Sequence, residues 1–301
     1  MEQGTVSKKA GYISIIGKPN VGKSTLLNRL IGVKIAAMSK KPQTTRHRIL
    51  GVLTLKNAQL LFLDTPGIIS KAKNELHKKM IKNAVSSLDD ADLVLFMTDP
   101  FGPDELDKYA LELLKNYKKP VICAINKVDL VEKKVLLPLI DTYKNLYPFR
   151  EIFPLSVTSN INVNELLQSI IKYLPEGEFY YPENVTTDKN ERFMVEEIIR
   201  EKIYNLYGEE IPYISAVVVD EFVENDERHG NVDYIRVIIY VEKESQKPII
   251  IGKGGLKIKK LGTYARHEIE EFLGRKVFLE LWVKVHKNWR KDKAFLDRLS
   301  V

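Results

Sequence analysis

The sequence predicts an α/β domain with a mostly parallel sheet and helices on both faces, followed by a smaller α+β domain. Three observations lead to this fold class. Short β-rich runs alternate with helical patterns from Gly11 to Leu174, which is typical of a parallel sheet. Residues 176–190 begin in a Pro- and Gly-rich stretch and have no clear periodicity. Behind them the order becomes helix, strand, strand, helix, helix, strand. We therefore predict domains at 1–175 and 191–301, with 176–190 as the linker.

The elements of the first domain follow from hydrophobic periodicity. Strands are predicted where short apolar runs are rich in β-branched and aromatic residues, at Tyr12–Ile16, Ile49–Leu55, Leu60–Leu63, Leu93–Met97, Val121–Ile125 and Ile152–Leu155. Helices are predicted where apolar residues recur at helical spacing, at Ser24–Leu30, Glu75–Ser87, Asp104–Asn116, Lys133–Leu146 and Val163–Tyr173. Ligands of such sheets bind beyond the C-terminal strand ends, so polar residues that directly follow a strand are the functional candidates.

The second domain is predicted to contain one long helix, three strands and a helical pair before the last strand. The helix covers Arg192–Tyr207, and the strands are Ser215–Phe222, Tyr234–Val241 and Val277–Val285. Residues 287–299 are predicted to form a charged, helical tail. Trp282 and Trp289 are interpreted as core or docking residues rather than as stacking platforms.

Composition predicts a globular cytoplasmic protein with an anionic partner. Apolar residues make up 44% and charged residues 29% of the chain, and no apolar run approaches the roughly 20 residues of a membrane span. The single Cys123 excludes a disulfide framework. The net charge of +7 is unevenly distributed. Residues 191–244 carry 6 Lys/Arg against 14 Asp/Glu, whereas residues 247–301 carry 14 against 6, which indicates a polyanion-binding face near the C-terminus.

A phosphate-binding loop follows the first predicted strand. Gly17–Ser24 fits G-x-x-x-x-G-K-[ST] and precedes a helix, the context in which this motif binds triphosphates. Its glycines let backbone N–H groups approach phosphate oxygens, and Lys23 is expected to reach the β- and γ-phosphates. Residues predicted to bind the nucleotide here are Asn20, Val21, Gly22, Lys23, Ser24 and Thr25.

A magnesium site is predicted from three oxygen ligands near this loop. The Ser24 hydroxyl takes one position, and Asp64, which follows the apolar run Leu60–Leu63, acts through a water. The polar segment from Met38 to Arg46 is the candidate first switch, and within it Thr45 is favoured over Thr44 as the third ligand. Gly67, in Asp64-Thr-Pro-Gly67, is expected to meet the γ-phosphate through its N–H, in a second switch that covers Asp64–Ser70. Lys23, Thr45 and Gly67 are the predicted catalytic residues.

Specificity for guanine is predicted from Asn126-Lys-Val-Asp129, which follows Val121–Ile125. The Asp129 carboxylate can accept from both N1–H and the 2-amino group of guanine, a pair that adenine lacks. The aliphatic part of Lys127 is expected to cover the base plane. After the last strand, Ser156-Val-Thr158 matches the fifth motif, whose backbone N–H groups are predicted to face the guanine oxygen. Ser156 and Val157 are the predicted contact residues of this motif.

The second domain contains a glycine loop of a different kind. Gly252-Lys-Gly-Gly255 lies between two predicted helices, and G-x-x-G in this position is the signature of a KH module that clamps about four nucleotides of a single strand. The predicted RNA contacts are Ile251, Gly252, Lys253, Gly254, Gly255, Lys257, Lys259 and Lys260. Within this stretch Ile251 and Ile258 are interpreted as core packing rather than as base contacts.

The first domain resembles the translation-factor-related class of small GTPases. Ras-like enzymes carry a water-orienting glutamine after the DxxG glycine, but this chain has Ile68, so the resemblance implies slow intrinsic hydrolysis. In some GTPases with an apolar residue there, the residue that matches Asn20 helps hold K⁺ beside the phosphates. The alternative is that Asn20 only stabilises the loop turn.

Together with the Gln43-Thr-Thr-Arg-His-Arg48 string and a type II KH arrangement, the order of motifs resembles the Era family over nearly the whole chain. The resemblance implies a cytoplasmic, monomeric GTPase that uses GTP/GDP and Mg²⁺. It also implies binding to the 3′ region of 16S rRNA during maturation of the small ribosomal subunit, and peripheral association with the inner membrane. Two alternatives stay open: a signalling GTPase with a protein effector, and an RNA-binding protein whose nucleotide is structural.

Overall fold

The computed structural model describes residues 7–39, 41–69, 72–208 and 210–299. The chain forms two compact units. The first contains residues up to 36 together with 45–73 and 77–188, and the second contains 37–44, 74–76 and the chain from residue 189 onward. Predictions for Lys40 and Ser70, which belong to the two switch segments, lie outside the described residues.

A six-stranded sheet forms the centre of the first unit. Its strands are β1 (Lys9–Ile16), β2 (Ile49–Leu55), β3 (Ala58–Asp64), β4 (Leu93–Thr98), β5 (Val121–Ile125) and β6 (Glu151–Pro154), in the order β2-β3-β1-β4-β5-β6. β2 pairs antiparallel to β3, and the other pairs are parallel. The central strands are buried on both faces, including Cys123 in β5, because helices cover the sheet on each side.

In the described part of this unit, four helices lie between successive strands, α1 (Lys23–Ile31), α2 (Glu75–Asp90), α3 (Glu105–Leu113) and α4 (Lys133–Leu146), and α5 (Val163–Tyr173) follows β6. α1 ends at Gly32, whose φ of 81° is the left-handed conformation that glycine adopts without strain. α3 begins at Asp104, whose side chain accepts from the N–H groups of Leu106 and Asp107. The predicted mostly parallel α/β architecture is confirmed.

The predicted linker is not a free connection over most of its length. Residues up to 188 belong to the first unit, where Glu176 and Thr187 form bridges to β1 and β2. The fully buried amide of Gln59 accepts from the N–H groups of Tyr180 and Tyr181. A buried amide must be hydrogen-bonded, so this stretch is held against the sheet despite its Pro- and Gly-rich start.

The second unit is an α+β domain with a three-stranded sheet in the order β7-β8-β9. The strands are β7 (Ala216–Asp226), β8 (Val232–Val241) and β9 (Val277–Val285), with β7 antiparallel and β9 parallel to β8. α6 (Glu191–Leu206) and α9 (Leu256–Leu273) pack on one face of the sheet around a buried aliphatic cluster. Three short helices, α7 (Ile211–Ile214), α8 (Lys247–Ile251) and α10 (Lys293–Arg298), complete the unit.

The C-terminal segment differs from the predicted charged tail. Trp289, Phe295 and Leu296 are buried, and the Trp289 indole N–H donates to the Ile214 carbonyl at 2.7 Å. The segment therefore packs on its own unit through apolar residues that are interspersed among the charged ones. Trp289 is a core residue, whereas Trp282 is 46% exposed, so of its two predicted roles the core role is wrong and the docking role stays a prediction.

Candidate functional site: a nucleotide site and a glycine-loop groove

The phosphate loop leaves the end of β1 with backbone geometry that requires glycine. Gly17 has a φ of 152° and Gly22 a φ of 106°. A Cβ on Gly17 would lie 2.0 Å from the Met97 carbonyl oxygen, and one on Gly22 would lie 2.3 Å from the Asn126 amide nitrogen. The absence of a side chain at both glycines therefore allows the loop to pass close to the ends of neighbouring strands. This close packing holds the loop at the start of α1.

Lys23 is held inside this loop. Its ammonium donates to the carbonyls of Gly17 and Lys18, each at 3.0 Å, and its side chain is buried. Burial lowers the pKa of Lys23 to about 8, and the nearby Asp64 carboxylate opposes this shift. A cation held here by backbone carbonyls is placed to receive an anion at the loop.

The three predicted magnesium ligands converge. Ser24 Oγ lies 2.6 Å from a carboxylate oxygen of Asp64 and 3.0 Å from Thr45 Oγ1. A hydroxyl pair with a carboxylate is a set of hard oxygen donors that suits Mg²⁺. The Thr44 hydroxyl instead donates to the Lys41 carbonyl, so the geometry favours Thr45, as the sequence did.

The candidate first switch is divided between the two units. Residues 37–44 belong to the second unit, where the Met38 N–H donates to Glu201 at 2.8 Å and the Tyr204 hydroxyl donates to the Gln43 carbonyl at 2.9 Å. Thr45 belongs to the first unit. The boundary between the units therefore falls one residue before the threonine at the magnesium site.

Gly67 and Ile68 lie against the phosphate loop. A Cβ on Gly67 would come within 2.8 Å of Pro19, and the Ile68 N–H donates to the Gly17 carbonyl at 3.1 Å. The Ile68 side chain is buried in an apolar cluster between sheet and helices. The residue after Gly67 therefore contributes to the packing of the sheet against its helices.

The base-recognition segment is tied to the phosphate loop. The Asn126 amide donates to the Val21 carbonyl at 2.7 Å, and the Lys127 ammonium donates to the Asn20 carbonyl at 2.6 Å. Asn20 itself adopts a left-handed turn with φ 65°. Asp129 is exposed beside these residues, in the short turn that follows β5. Asn126 thus acts as a structural tie between the two halves of the site.

The prediction for the last motif needs correction. The Ser156 N–H donates to the Ile161 carbonyl and the Val157 N–H to the Asn126 side-chain oxygen, at 3.1 and 3.0 Å. Both groups therefore hold the loop and Asn126 rather than facing a guanine oxygen. Their protein acceptors are set by tertiary packing, which the motif alone does not reveal.

Sequence reasoning missed a charged cluster behind the phosphate loop. The Lys18 ammonium lies within 3.2 Å of the carboxylates of Asp99, Asp104 and Asp107. Burial lowers the pKa of Lys18, but its hydrogen bonds to Asp107 and Asp104 outweigh this effect and raise it above the ordinary value. Asp99 directly follows β4, and this position after a strand was the one available signal.

The glycine loop of the second unit joins α8 to α9. Gly252, Gly254 and Gly255 all have positive φ, at 73°, 58° and 78°. A Cβ on Gly252 would lie 2.7 Å from Lys257, whereas the Cβ positions of Gly254 and Gly255 have no atom within 4 Å. Gly254 is therefore open to a close approach from outside. The lysines predicted to contact RNA are all exposed: Lys253, Lys257, Lys259 and Lys260.

A groove of about 380 Å³ lies between α9, which follows the glycine loop, and β9. Its lining combines apolar and basic side chains, including Ile258, Lys259, Arg266 and Leu281. Ile258 thus lines the groove, which corrects its interpretation as a core residue. Ile251 is half-buried, and it is the neighbouring Ile250 that is fully buried.

Comparisons with known proteins identify a family for each of the two units. A family described as 50S ribosome-binding GTPase matches residues 12–127, and the KH domain family matches residues 210–290. GTPase Era of Staphylococcus haemolyticus is 48% identical over 97% of both chains. GTPase Era of Lactobacillus helveticus is also 48% identical, over 97% of this chain and 96% of that protein.

Two solved structures match the whole fold. An Era protein of Aquifex aeolicus bound to GDP·AlF4⁻ superposes with a TM-score of 0.90 at 45% identity, covering 97% of this chain and 98% of that one. An Era structure in complex with MgGDPNP and nucleotides 1506–1542 of 16S ribosomal RNA superposes with a TM-score of 0.91 at the same identity and coverage. The chain therefore belongs to the Era family, GTPases that carry a C-terminal KH domain.

Proposed function

We propose that this GTPase binds the 3′ region of 16S rRNA in its KH domain, under control of the bound nucleotide, during maturation of the small ribosomal subunit. The observation that carries the proposal is the presence of two formed sites in one chain. The oxygen ligands at Ser24, Thr45 and Asp64 lie in the first unit, and the open glycine loop with its groove lies in the second. A relative of 45% identity binds nucleotides 1506–1542 of that RNA.

In the first site the protein positions the triphosphate. Lys23 supplies positive charge within the loop, and the Gly67 N–H is expected to meet the γ-phosphate. Ser24, Thr45 and Asp64 would hold Mg²⁺, which neutralises phosphate charge when bound. Asp129 selects guanine, because adenine would leave its carboxylate without a donor pair.

Slow intrinsic turnover follows from Ile68. Its buried apolar side chain cannot orient an attacking water, so the rate depends on other charges near the phosphates. A K⁺ ion held beside Asn20 would be one such charge. The alternative is that Asn20 only stabilises the loop, in which it adopts a left-handed turn. We expect single-turnover hydrolysis to be faster in KCl than in NaCl. Equal rates would leave Asn20 with the structural role alone.

In the second site the open position at Gly254 is expected to admit an RNA backbone, and the exposed lysines around it supply phosphate-facing charge. Control by nucleotide is supported by the division of the first switch. Residues 37–44 contact α6 within the second unit, whereas the next residue, Thr45, lies at the magnesium site. Ordering of Thr45 by GTP would therefore act directly on a segment that α6 holds.

RNA affinity in the two nucleotide states tests the proposal. RNA of the sequence 1506–1542 should bind the GDPNP and GDP forms with affinities that differ at least fivefold. Gly254→Asp should abolish binding, because it puts a carboxylate where the backbone must approach.

The matched control for this variant is Gly274→Asp. Gly274 has a similar φ of 68° and equally open surroundings, but it lies at the C-terminal end of α9. Equal RNA affinity in both nucleotide states would exclude control by nucleotide. Full RNA binding by Gly254→Asp would instead favour a signalling GTPase with a protein effector.

Location and assembly are proposed from the family resemblance. We expect a cytoplasmic monomer with peripheral association to the inner membrane. No helix among the described residues is long and apolar enough to cross a membrane.

A further inference from the structure

The sheet of the second unit has a second face, on the side opposite the buried cluster of α6 and α9. Because side chains alternate along a strand, Tyr234 and Arg236 of β8 lie on this outer face beside Phe278, Glu280 and Trp282 of β9. The register pairs Tyr234 with Phe278 and Arg236 with Glu280. Two aromatic side chains of an edge strand therefore stand on a face that the helices of the core do not cover.

Among the described residues, the C-terminal segment packs on the Tyr240 end of this outer face. There the Tyr240 ring lies 5.1 Å from that of Phe295 and 6.0 Å from that of His286. Toward the other end Phe278 and Trp282 are each 46% exposed. The His229 ring is stacked on Tyr234 at 4.5 Å, with an angle of 7° between the ring planes. We call the exposed rings of Phe278 and Trp282, together with the buried Tyr234 ring beside them, the aromatic shelf.

Cations flank the Trp282 ring of the shelf. The Arg236 guanidinium lies 5.8 Å and the Lys284 ammonium 5.3 Å from the centre of the Trp282 ring. The carboxylates Asp220, Glu221 and Glu280 are paired with neighbouring side chains. Asp220 and Glu221 form ion pairs with Arg236, and Glu280 accepts from the Tyr234 hydroxyl. The face is therefore close to neutral, and its distinctive chemistry is that of exposed rings with adjacent cations.

The shelf is continuous with the glycine-loop groove. Phe278 lines the groove, and its ring also lies 4.4 Å from that of His229 on the outer face. Trp282 follows four residues later on the same edge strand, roughly 13 Å away along the strand. A chain that leaves the groove over the edge of β9 would pass from Phe278 toward Trp282.

We propose that the aromatic shelf is a second RNA contact surface, on which bases of the strand that continues out of the groove stack. The inference rests on the proposed RNA-binding function. A G-x-x-G loop clamps about four nucleotides, so a longer strand needs a further surface to be held. Stacking on aromatic rings with neighbouring arginine or lysine is how proteins hold single strands without reading their sequence.

Binding measurements with two RNA lengths distinguish the contribution of the shelf from that of the groove. Binding is measured for a tetranucleotide and for an RNA of about twelve nucleotides that contains the same four bases, a length within the range of single-strand sites. Trp282→Ala should weaken binding of the longer RNA about tenfold, the effect of one lost stacking contact, and leave the tetranucleotide unchanged. Because the shelf is near neutral, the salt dependence of binding should stay the same.

Intrinsic fluorescence provides a direct readout. The chain contains two tryptophans, of which Trp289 is fully buried and Trp282 exposed. Stacking of a base on Trp282 should quench the fluorescence of this exposed tryptophan, and it should do so with the longer RNA only. In Trp282→Ala the remaining signal of Trp289 reports that the unit is folded. Trp282→Phe keeps an aromatic ring and should retain most of the affinity for the longer RNA. The control is Phe101→Ala, which removes a 68% exposed ring of the first unit and should leave RNA binding unchanged.

The outcomes distinguish this inference from the proposed function. If Trp282→Ala binds both RNAs like the parent protein while Gly254→Asp binds neither, the shelf is not an RNA surface and the groove proposal stands. The same conclusion holds if the longer RNA leaves the fluorescence unchanged. If the parent protein binds neither RNA, the proposed function itself fails. Equal loss for both lengths would place Trp282 in support of the groove and would also overturn the inference.

Discussion

At the scale of single residues, the nucleotide site was predictable where chemistry depends on local sequence. The phosphate loop, Asp64 and Asn126-Lys-Val-Asp129 each follow a buried strand, so their convergence follows from the parallel sheet. The cluster at Lys18 was not predictable, because its partners Asp104 and Asp107 lie 86 and 89 positions further along the chain. The N–H groups of Ser156 and Val157 were assigned wrongly for the same reason: tertiary contacts supply their acceptors.

Lys23 gives a pH-dependent prediction. Its pKa of about 8 means that about half of the ammonium groups have lost their proton at pH 8 when no phosphate is near, whereas bound phosphate raises the pKa. Nucleotide binding should therefore take up a proton above pH 8, and affinity should fall by up to about tenfold per pH unit there. Calorimetry between pH 7 and 9, in two buffers of different ionisation enthalpy, measures this uptake.

Lys23→Met is the control for this prediction. It should bind nucleotide weakly and without the proton uptake. An affinity for the parent protein that stays constant from pH 7 to 9 would show that Lys23 remains fully charged in the free site.

At the scale of elements, strand and helix positions followed the sequence closely where hydrophobic patterns are strong. α4, α5, β2, β5 and β9 have the predicted bounds. β7 instead continues to Asp226, because its pairing with β8 resumes after an irregularity that ends at Asp226 opposite Val232. The residues there are polar and indicate a turn, and only cross-strand hydrogen bonds reveal the longer strand. Polar strand ends are therefore the weakest part of the prediction.

Glu196 links two of these elements. It lies on α6, and its carboxylate accepts from the Val219 N–H of β7 at 2.8 Å. Burial, together with the neighbouring Glu197, raises the pKa of Glu196 to about 7. A raised carboxyl pKa means that the folded state disfavours the charge, so stability falls as pH rises from about 4.5 to 7. Glu196→Gln keeps the acceptor and should stabilise the protein at pH 8 by about 2 kcal/mol, with little effect at pH 4.5.

Thermal or denaturant unfolding at the two pH values measures the effect of Glu196→Gln. Glu224→Gln, at an exposed glutamate of β7, is the matched control and should change neither value. If the Glu196→Gln protein is less stable than the parent by the same amount at both pH values, the weakened hydrogen bond from Val219, and not the charge, determines its stability.

At the scale of the whole molecule, the division into two domains was predictable because the pattern of elements changes near residue 190. The character of the connecting stretch was not. Its attachment depends on the buried amide of Gln59 and on bridges to β1 and β2, neither of which has a local signal. The covered C-terminal segment depends in the same way on the burial of Trp289. At this scale, the question of function is how bound nucleotide and bound RNA change each other's affinity.

Control of RNA binding by nucleotide implies a reciprocal effect. If GDPNP changes RNA affinity by a given factor relative to GDP, saturating RNA must change the preference for GDPNP over GDP by the same factor, because the two affinities share one coupling free energy. Fluorescent-nucleotide titrations with and without RNA measure this factor. Gly254→Asp should remove the effect of RNA on nucleotide affinity and leave the nucleotide affinities themselves unchanged. If saturating RNA leaves the preference for GDPNP over GDP unchanged, control of RNA binding by nucleotide is excluded.

The lone cysteine gives the molecule a practical property. Cys123 is a free thiol enclosed within β5, and burial raises its pKa well above the ordinary value, so the reactive thiolate is scarce. Maleimides and other alkylating dyes should therefore pass over the native protein. Two cysteines engineered at surface sites, one on each domain, could then be labelled without first deleting the natural one. Donor and acceptor fluorophores attached there would report, molecule by molecule, how the domains respond to GTP and RNA.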